Sequence, residues 1–384
     1  MIYHEVITRQ PYTFVQFREF VAIIFAQEEY KRSIKTGYLD YARGTNELEA
    51  MIMVIDWRNK QVLVAGGAGL IGSHLARTLV NKGAKVCVAD NLSSGSRKNI
   101  EDIKEKVEFI SSDLRKESNC AKLTKGRDYV FQLAANMGGI GYITAVGADI
   151  MHDNILINVN MLQSSFENKV KGYFYSSSAC VYPEYRQKDA AVTPLKESDA
   201  IPAEPDQFYG WEKLVTEKLC EAYQKDYGMN IRMARFHNVY GEVYTAFDKD
   251  KGKAPCHIIM KALRYPEQEF VIWGDGKQTR SFLYIDDCIA GVLNLMESNY
   301  LKPVNIGSDR LVTIDELAQI VINISGKNIT IKHDLSKPQG VRGRNADITL
   351  VKKEVGWAPK ISLEEGMRGT YEWAKVRMKE LENV

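Results

Sequence analysis

The sequence predicts an α/β fold with a doubly wound parallel sheet and a smaller, mixed C-terminal domain. From Gln61 onward, short and continuously apolar segments alternate with stretches of helical periodicity. Strands of this kind are typical of parallel sheets that carry helices on both faces. After Asn238 the alternation loosens, and Gly and Lys become frequent over 248–253. We therefore predict a domain boundary near residue 240.

The apolar and helical patterns assign the individual elements. Strands are predicted over 61–65, 85–89, 107–110, 129–133, 172–176 and 231–235. Helices are predicted over 71–81, 149–168, 209–227, 255–264, 284–297, 314–324 and 363–381. Residues 1–55 are an aromatic-rich extension of unassigned role, with one amphipathic helix expected over 14–32. The domains are then 56–240 and 241–384, with segments near 282–298 and 303–308 returning to the first domain.

Composition excludes several classes of protein. The 384 residues allow about two domains, and 45% hydrophobic with 26% charged residues is ordinary globular composition. A net charge of +2 gives no reason to expect a nucleic-acid partner. No segment approaches the roughly 18–20 apolar residues of a membrane span. The six cysteines and six histidines are dispersed without metal-site spacing, which favours a cytoplasmic protein without a metal ion.

The turn Gly66-Gly-Ala-Gly-Leu-Ile-Gly72, between the first strand and the first helix, is the strongest local signal. Glycines at this spacing allow a pyrophosphate to approach the backbone at a helix N-terminus. We assign Gly66, Gly69, Leu70, Ile71 and Gly72 to cofactor binding. Asp90 closes the second strand, where a carboxylate accepts ribose hydroxyls and repels a 2′-phosphate. NAD is therefore expected rather than NADP.

Tyr209 and Lys213 lie four residues apart on a predicted helix and therefore share one helix face. A free phenol, with a pKa near 10, is a poor base at neutral pH. We expect the ammonium of Lys213 and a cationic nicotinamide ring to lower the pKa of Tyr209. Ser178 follows the strand predicted at 172–176, and its hydroxyl could hydrogen-bond a substrate oxygen beside Tyr209.

These segments, with Leu133-Ala-Ala135, together resemble the extended short-chain dehydrogenase/reductase family, whose Rossmann-fold members act on nucleotide-linked sugars. The resemblance covers about residues 60–380. Several runs are most similar to the GDP-mannose 3,5-epimerases of that family. They are Asn136-Met-Gly-Gly-Ile-Gly141, Ser178-Ala-Cys-Val-Tyr-Pro-Glu184, Gly252-Lys-Ala-Pro255 and Gly340-Val-Arg-Gly-Arg-Asn345.

The resemblance implies a mechanism and a set of residues. Tyr209, supported by Ser178 and Lys213, takes a proton from the sugar C4 hydroxyl while the C4 hydride passes to NAD. The resulting ketone acidifies the protons on C3 and C5, which Cys180 and Lys253 exchange on opposite faces of the ring. The resemblance adds Asp113 to the cofactor site and a homodimer as the assembly. It places the nucleotide sugar against Met137, Gly138, Ser178, Asn238, Lys261, Gln278, Arg280 and Arg344, with Arg342 as a neighbour.

Three alternatives stay open at the level of sequence. A UDP-sugar 4-epimerase or a nucleotide-sugar 4,6-dehydratase uses the same Tyr and Lys. A 4-epimerase needs no second acid–base pair, and a dehydratase is expected to have Asp-Glu where this chain has Ala179-Cys180. A catalytically silent protein that binds nucleotide sugars is a third alternative, against which the intact Ser178, Tyr209 and Lys213 argue.

Overall fold

The computed structural model describes residues 55–205, 207–244, 254–337 and 340–382. The helix predicted over 14–32 lies outside the described residues. Within the described ranges, no helix combines the length and the hydropathy that crossing a membrane requires.

A seven-stranded sheet forms the centre of the described chain, in the order β11-β6-β5-β4-β1-β2-β3. Every neighbouring pair in it is parallel. Its strands are β1 Gln61–Ala65, β2 Lys85–Asp90, β3 Val107–Ser111, β4 Tyr129–Gln132, β5 Gly172–Ser178, β6 Ile231–Phe236 and β11 Val304–Ile306. The strand order reverses between β1 and β4, and ligands of doubly wound sheets bind beside that point at the carboxyl ends of the strands.

The helices predicted from residue 71 onward are all present among the described residues, together with three that the sequence did not predict. They are α1 Leu70–Asn81, α2 Glu117–Thr124, α3 Ile140–Ala145, α4 Gly147–Glu167, α5 Phe208–Tyr227, α6 Ala254–Arg264, α7 Ile285–Glu297, α8 Ile314–Ser325, α9 Thr349–Val355 and α10 Leu363–Glu382. The predicted doubly wound α/β fold is confirmed, and the predicted strands and the helices from 71 onward agree with the structure to within two residues at each end.

Helices cover both faces of the sheet, which explains why a central strand such as β1 is continuously apolar. Successive side chains of a strand point to opposite faces. Along β1, Val62 and Val64 therefore pack into one apolar cluster, with Leu75 of α1 and Val292 of α7. Leu63 and Ala65 pack into the cluster on the other face. Each residue of β1 after Gln61 is thus buried.

The region after residue 240 contains short strands around a third apolar cluster formed mainly by α6, α8 and α10. Its strands are β7 Val239–Tyr240, β8 Val271–Trp273, β9 Thr279–Ser281, β10 Leu283–Tyr284, β12 Leu311–Thr313, β13 Lys332–Asp334 and β14 Gly343–Arg344. Strand β14 pairs with β9, and β11 returns to the large sheet by pairing with β6. The domain limits at residues 55 and 240 stay a prediction.

Candidate active site

The glycine turn leads directly into α1, and two of its glycines show what the turn requires. A Cβ on Gly72 would lie 2.2 Å from the carbonyl oxygen of Gly66, so the closeness of turn and helix excludes any side chain there. At Gly69 the nearest atom to such a Cβ would be 3.4 Å away, which leaves space beside the N-terminus. No side chain caps α1, whose first residues are Leu70 and Ile71. The uncapped N–H groups fit a pyrophosphate.

Asp90 lies at the carboxyl end of β2, beside this turn. Its Oδ2 accepts a hydrogen bond from the Ala68 amide at 3.0 Å, and Oδ1 accepts one from the Leu92 amide at 2.7 Å. Burial raises the pKa of the Asp90 carboxyl, against these two hydrogen bonds. Asp113 follows β3 and is more exposed, and its carboxylate forms an ion pair with Arg115 at 2.9 Å. Of the two acids, Asp90 is in contact with the turn.

The end of β5 and the start of α5 bring Ser178, Cys180 and Tyr209 together. Ser178 is the last residue of β5, and its Oγ accepts a hydrogen bond from the Cys180 amide at 3.2 Å. A Cβ on Gly210 would lie 2.1 Å from the carbonyl oxygen of Cys180. Glycine at position 210 therefore lets the first turn of α5 approach the Cys180 segment. Tyr209 is buried in the small apolar cluster against which Cys180 and Met137 pack.

Lys213 lies one turn further along α5. Its Nζ donates a hydrogen bond to the Ser176 carbonyl oxygen at 3.0 Å and is 5.5 Å from the centroid of the Tyr209 ring. Burial raises the pKa of Tyr209 well above its usual value, the charges of Glu212 and Cys180 raise it further, and a hydrogen bond with Ser178 opposes them. The groups of the chain together therefore raise this pKa. The prediction that it is lowered beside Lys213 is wrong for the chain without a cofactor.

Arg344 on β14 contacts the thiol of Cys180. Its Nη1 donates to the Cys180 Sγ at 3.3 Å, and its Nε donates to the side-chain oxygen of Gln187. Gln187 in turn donates to the carbonyl oxygens of Tyr182 and Pro183, each at 3.1 Å. Gln187 is fully buried and binds both Arg344 and the backbone at Tyr182 and Pro183. It therefore fixes the guanidinium beside the thiol. Sequence reasoning missed Gln187, since no motif distinguishes a single glutamine in a loop.

The other predicted sugar-nucleotide residues fall into two groups. Gln278, Arg280 and Arg344 are neighbours because β14 pairs with β9. The Gln278 Oε1 is buried and has no hydrogen-bond partner among the described residues, so an acceptor remains there for a ligand. Arg280 donates to the carbonyl oxygens of Thr279 and Val341, each at 2.7 Å, and so is held by the chain. Arg342 is paired with Asp275 at 2.8 Å.

The residues of the second group lie outside the paired strands β9 and β14. Asn238 has a φ of +41°, and its Nδ2 donates to the Ser281 carbonyl oxygen at 2.9 Å. The Lys261 ammonium donates to the Val271 carbonyl oxygen, and burial lowers the pKa of Lys261. Gly138 follows Met137 in the loop before α3. The predicted acid–base residue Lys253 lies outside the described residues.

Comparison with known proteins now places the chain. Residues 62–307 match the model of the NAD dependent epimerase/dehydratase family. The chain belongs to this family. It is 45% identical to the GDP-mannose 3,5-epimerase of Arabidopsis thaliana over 320 residues. This match covers 83% of the chain and 82% of that relative. Against GDP-mannose 3,5-epimerase 1 of Oryza sativa subsp. japonica the identity is 45% over 345 residues, with 88% and 87% covered.

Solved structures of this family share the fold. The UDP-glucose 4-epimerase of Thermotoga maritima superposes with a TM-score of 0.76 at 29% identity, covering 83% of this chain and 99% of that one. The UDP-N-acetylglucosamine 4-epimerase of Methanobrevibacter ruminantium gives 0.76 at 28% identity, with 84% and 100% covered. The resemblance stated from the sequence is thereby confirmed at the level of fold and family.

Proposed function

We propose that this chain is an NAD-dependent epimerase that inverts C3 and C5 of GDP-mannose through a transient 4-keto sugar, giving GDP-L-galactose when both carbons are inverted and GDP-L-gulose when C5 alone is inverted. The observation that carries the proposal is the cysteine beside Tyr209 whose Sγ is 3.3 Å from the Arg344 guanidinium. The 45% identity to relatives named GDP-mannose 3,5-epimerase, over most of the chain, supports the sugar nucleotide.

NAD is the cofactor of the proposal because the glycine turn and Asp90 fit it. The uncapped start of α1 offers amide groups to the pyrophosphate, and the space at Gly69 leaves room for it. The Asp90 carboxylate is beside the turn, where the ribose hydroxyls are expected, and its negative charge disfavours the 2′-phosphate of NADP. Bound NAD supplies the acceptor for the C4 hydride and returns that hydride at the end of the cycle.

Tyr209 is the proposed base at the C4 hydroxyl, and Ser178 and Lys213 assist it. Ser178 holds the phenol by a hydrogen bond, and Lys213 contributes a positive charge 5.5 Å from the ring. Because burial raises the pKa of Tyr209, its phenolate is a strong base for the proton of the C4 hydroxyl, and the phenol returns that proton to the C4 oxygen when the hydride comes back to C4. We propose that the positive charge of the oxidised nicotinamide favours the phenolate at the start of the cycle.

Cys180 and Lys253 are the proposed acid–base pair at C3 and C5. Protons on carbons next to a ketone are acidic, so a thiol and an amine on opposite faces of the ring can remove and return them. The Arg344 guanidinium on the Cys180 sulfur stabilises negative charge there. A 4-epimerase has no use for this cysteine, and a 4,6-dehydratase is expected to have an acidic pair at Ala179-Cys180. The thiol site therefore favours the 3,5-epimerase.

The remaining predicted residues are proposed to hold the sugar nucleotide. Gln278 offers a buried acceptor without a partner among the described residues, which suits a donor of the nucleotide. Arg280 and Arg344 place positive charge on the paired strands β9 and β14, which suits the diphosphate. Met137 packs on the Tyr209 cluster, and Met137 and the neighbouring Gly138 are proposed to contact the sugar. Asn238 and Lys261 are assigned to the nucleotide, and Asp113 to the cofactor, from the resemblance alone.

A substrate panel tests the proposed function. The NAD-loaded protein is incubated separately with GDP-mannose and with UDP-glucose, and the sugars of the products are identified by NMR. We expect GDP-L-galactose and GDP-L-gulose from the first and no reaction of the second. Conversion of UDP-glucose into its C4 epimer, with GDP-mannose unchanged, would make the chain a UDP-sugar 4-epimerase.

Asp90→Ala is expected to weaken NAD binding. A ribose held by a charged acceptor loses hydrogen bonds worth about 1.5–3 kcal/mol each when that acceptor is removed. The variant also loses the bond from Ala68 that shapes the turn, so the loss of affinity applies to both dinucleotides. Calorimetric titration of the wild type and the variant with NAD and NADP measures it. Tighter binding of NADP than NAD by the wild type would contradict the assignment of Asp90.

We also propose that the protein is a cytoplasmic homodimer that associates through α4 and α5. These helices pack on each other, as the edge-to-face contact between Phe166 and Tyr223 shows, with ring centroids 5.8 Å apart. Both also present large apolar side chains to solvent. Val159 on α4 is 41% exposed, and Trp211 and Val215 on α5 are 39% and 50% exposed. Exposed apolar side chains on two adjacent helices are suited to a two-fold interface.

Val215→Glu is expected to dissociate this dimer, because a charge would be buried without a partner at the interface. Val376→Glu on α10 is a matched control, since Val376 is similarly exposed at 54% and lies outside the two helices. Sedimentation velocity should show a dimer for the wild type and for Val376→Glu, and a monomer for Val215→Glu. A Val215→Glu protein that sediments with the wild type would place the interface elsewhere.

A further inference from the structure

Glu212 is a fully buried carboxyl group next to Lys213 on α5, and the reaction outlined above gives it no role. Its Oε1 accepts a hydrogen bond from the Asn154 Nδ2 at 2.9 Å, and its Oε2 accepts one from the Asn158 Nδ2 at 3.1 Å. The Lys213 Nζ is 3.8 Å from Oε1. Burial raises the pKa of the Glu212 carboxyl, and the charge of Lys213 and the hydrogen bonds from the two asparagines oppose this, as a buried carboxylate requires. The chain thus maintains an acid directly behind its proposed catalytic residues.

The two asparagines connect Glu212 to the backbone that follows β4. The Asn154 Oδ1 accepts from the Asn136 amide at 2.6 Å, and its Nδ2 also donates to the Asn136 carbonyl oxygen at 3.1 Å. The Asn158 Oδ1 accepts from the Gln132 Nε2 at 3.0 Å, and that group also donates to the Ala134 carbonyl oxygen at 2.9 Å. Glu212 is therefore linked to Asn136 through the side chain of Asn154. It is linked to Ala134 through the side chains of Asn158 and Gln132.

The segment held in this way touches both proposed ligand sites. A Cβ on Gly66 would lie 2.7 Å from the Ala134 amide nitrogen, so the segment packs against the glycine turn. Met137 directly follows this segment and packs on the cluster of Tyr209. The position of this segment therefore affects the cofactor side and the sugar side together.

The geometry requires an acceptor at position 212. Both asparagines direct N–H groups at it, and an ionised carboxylate has acceptors only. A glutamine would present an N–H group to one of them or to Lys213. Rotating the amide of Asn154 would relieve that clash, but it would turn an N–H group towards the Asn136 amide, which needs an acceptor. An amide at position 212 that faces Asn154 therefore breaks the connection to Asn136 at one end or the other.

We propose that Glu212 is a positioning residue of the reaction, which holds the ammonium of Lys213 and, through Asn154 and Asn158, fixes segment 134–136 between the cofactor turn and the sugar site. The proposal rests on the proposed function for the roles of Tyr209 and Met137. One buried acid would thus align α5, which carries the base Tyr209, with segment 134–136 beside the substrate.

Glu212 also affects the proton affinity of Tyr209. Its charge raises the pKa of Tyr209, as does that of Cys180, while a hydrogen bond with Ser178 lowers it. Lys213, one turn along the same helix, is a cation 5.5 Å from the ring centroid, and the other members of the cluster, Ile143 and Ile150 among them, are apolar. Removing the charge of Glu212 should therefore lower the pKa of Tyr209, and the acid limb of the pH–rate profile should move to lower pH.

Glu212→Gln in the NAD-loaded protein tests the proposal. We expect the turnover of GDP-mannose to fall at least about tenfold, because misplaced reacting groups lose rate steeply, and the acid limb to move to lower pH. Glu212→Asp, which keeps the charge, should leave the limb in place. A Glu212→Gln protein with the turnover and the limb of the wild type would overturn the proposal. So would a loss of turnover with the limb unmoved, which indicates a purely structural residue.

Tyr223→Phe is the matched control, because it removes a different hydrogen bond between the same two helices, from Tyr223 to Gln163. It should lower the melting temperature but leave turnover and the acid limb unchanged. If Glu212→Gln does not fold, Asn154→Ala provides the test of the loop. It releases Asn136 and keeps the Glu212 side chain in place, so the KM for GDP-mannose should rise. An unchanged KM in Asn154→Ala would overturn the proposal.

A readout without substrate separates this proposal from the proposed function. The titration of Tyr209 is followed by carbon NMR with ring-labelled tyrosine, and Tyr209→Phe assigns its signal. The phenol should titrate at lower pH in Glu212→Gln than in the wild type, and an identical titration would overturn the role of Glu212. If the wild type leaves GDP-mannose unchanged, the proposed function fails, while the shift in the titration of Tyr209 still decides the electrostatic role of Glu212.

Discussion

Tyr209→Phe is expected to stop the reaction before any carbon centre is inverted. The variant keeps the ring in its buried position and removes only the oxygen that accepts the proton of the C4 hydroxyl. Without a 4-keto sugar, the C3 and C5 protons are not acidic, so their exchange with solvent should fall together. The loss should reach at least the roughly 10²–10⁴-fold typical of a deleted general acid or base. NMR of GDP-mannose incubated in deuterated water measures this exchange at both carbons.

Tyr173→Phe is the control for this variant. Tyr173 is also a buried tyrosine, 1% exposed, and it lies near the start of β5 rather than at its carboxyl end. Its replacement should leave the exchange at C3 and C5 near the wild-type rate. If Tyr209→Phe also exchanges these protons at the wild-type rate, another group is the base and the role of Tyr209 is wrong.

Cys180→Ser is expected to separate oxidation at C4 from proton exchange at the neighbouring carbons. A thiol has a pKa of about 8.5, whereas a serine hydroxyl is far too weak an acid to replace it as an exchanging group. The variant should bind GDP-mannose and still form the reduced cofactor, visible by its absorbance. Deuterium uptake at C3 and C5 should fall by roughly 10²–10⁴-fold. Absorbance and NMR on the same sample give both quantities.

Cys120→Ser controls for the exchange of sulfur for oxygen. The Cys120 Sγ donates to the Leu114 carbonyl oxygen at 3.2 Å, a hydrogen bond that serine can also make, and it lies away from the Cys180 cluster. Activity should persist in this variant. Near wild-type epimerisation by Cys180→Ser would instead show that Cys180 is a packing residue and that the chain works through Tyr209 alone.

Elements that cross the core were predictable because burial leaves a pattern in the sequence. Strand β1 is apolar at each position after Gln61, and α5 shows the periodicity of a helix packed on one side. Helix α2, Glu117–Thr124, was missed because it is short and mostly polar, with a buried face of only a few residues. Strands of two residues such as β14 have no pattern of their own, since pairing with β9 is what defines them.

Within the candidate site, motifs that are local in the chain were predictable and long-range contacts were not. Ser178 and Cys180 are two residues apart, but the contact from Arg344 to Cys180 joins positions separated by 164 residues. For the groups of the chain alone, the predicted direction of the Tyr209 pKa was wrong, because the sequence shows the charge of Lys213 but not the burial that dominates. Glu212 stands between Tyr209 and Lys213, where its charge resembles that of an exposed helix residue.

Position-resolved deuterium incorporation tests the central claim most directly. The NAD-loaded wild type is incubated with GDP-mannose in deuterated water, and proton NMR reads each carbon of the recovered sugars. The account predicts deuterium at C3 and C5, inversion at those carbons, and protium at C4, because the C4 hydride leaves and returns without meeting solvent. Inversion confined to C4, with no deuterium at C3 or C5, would contradict it.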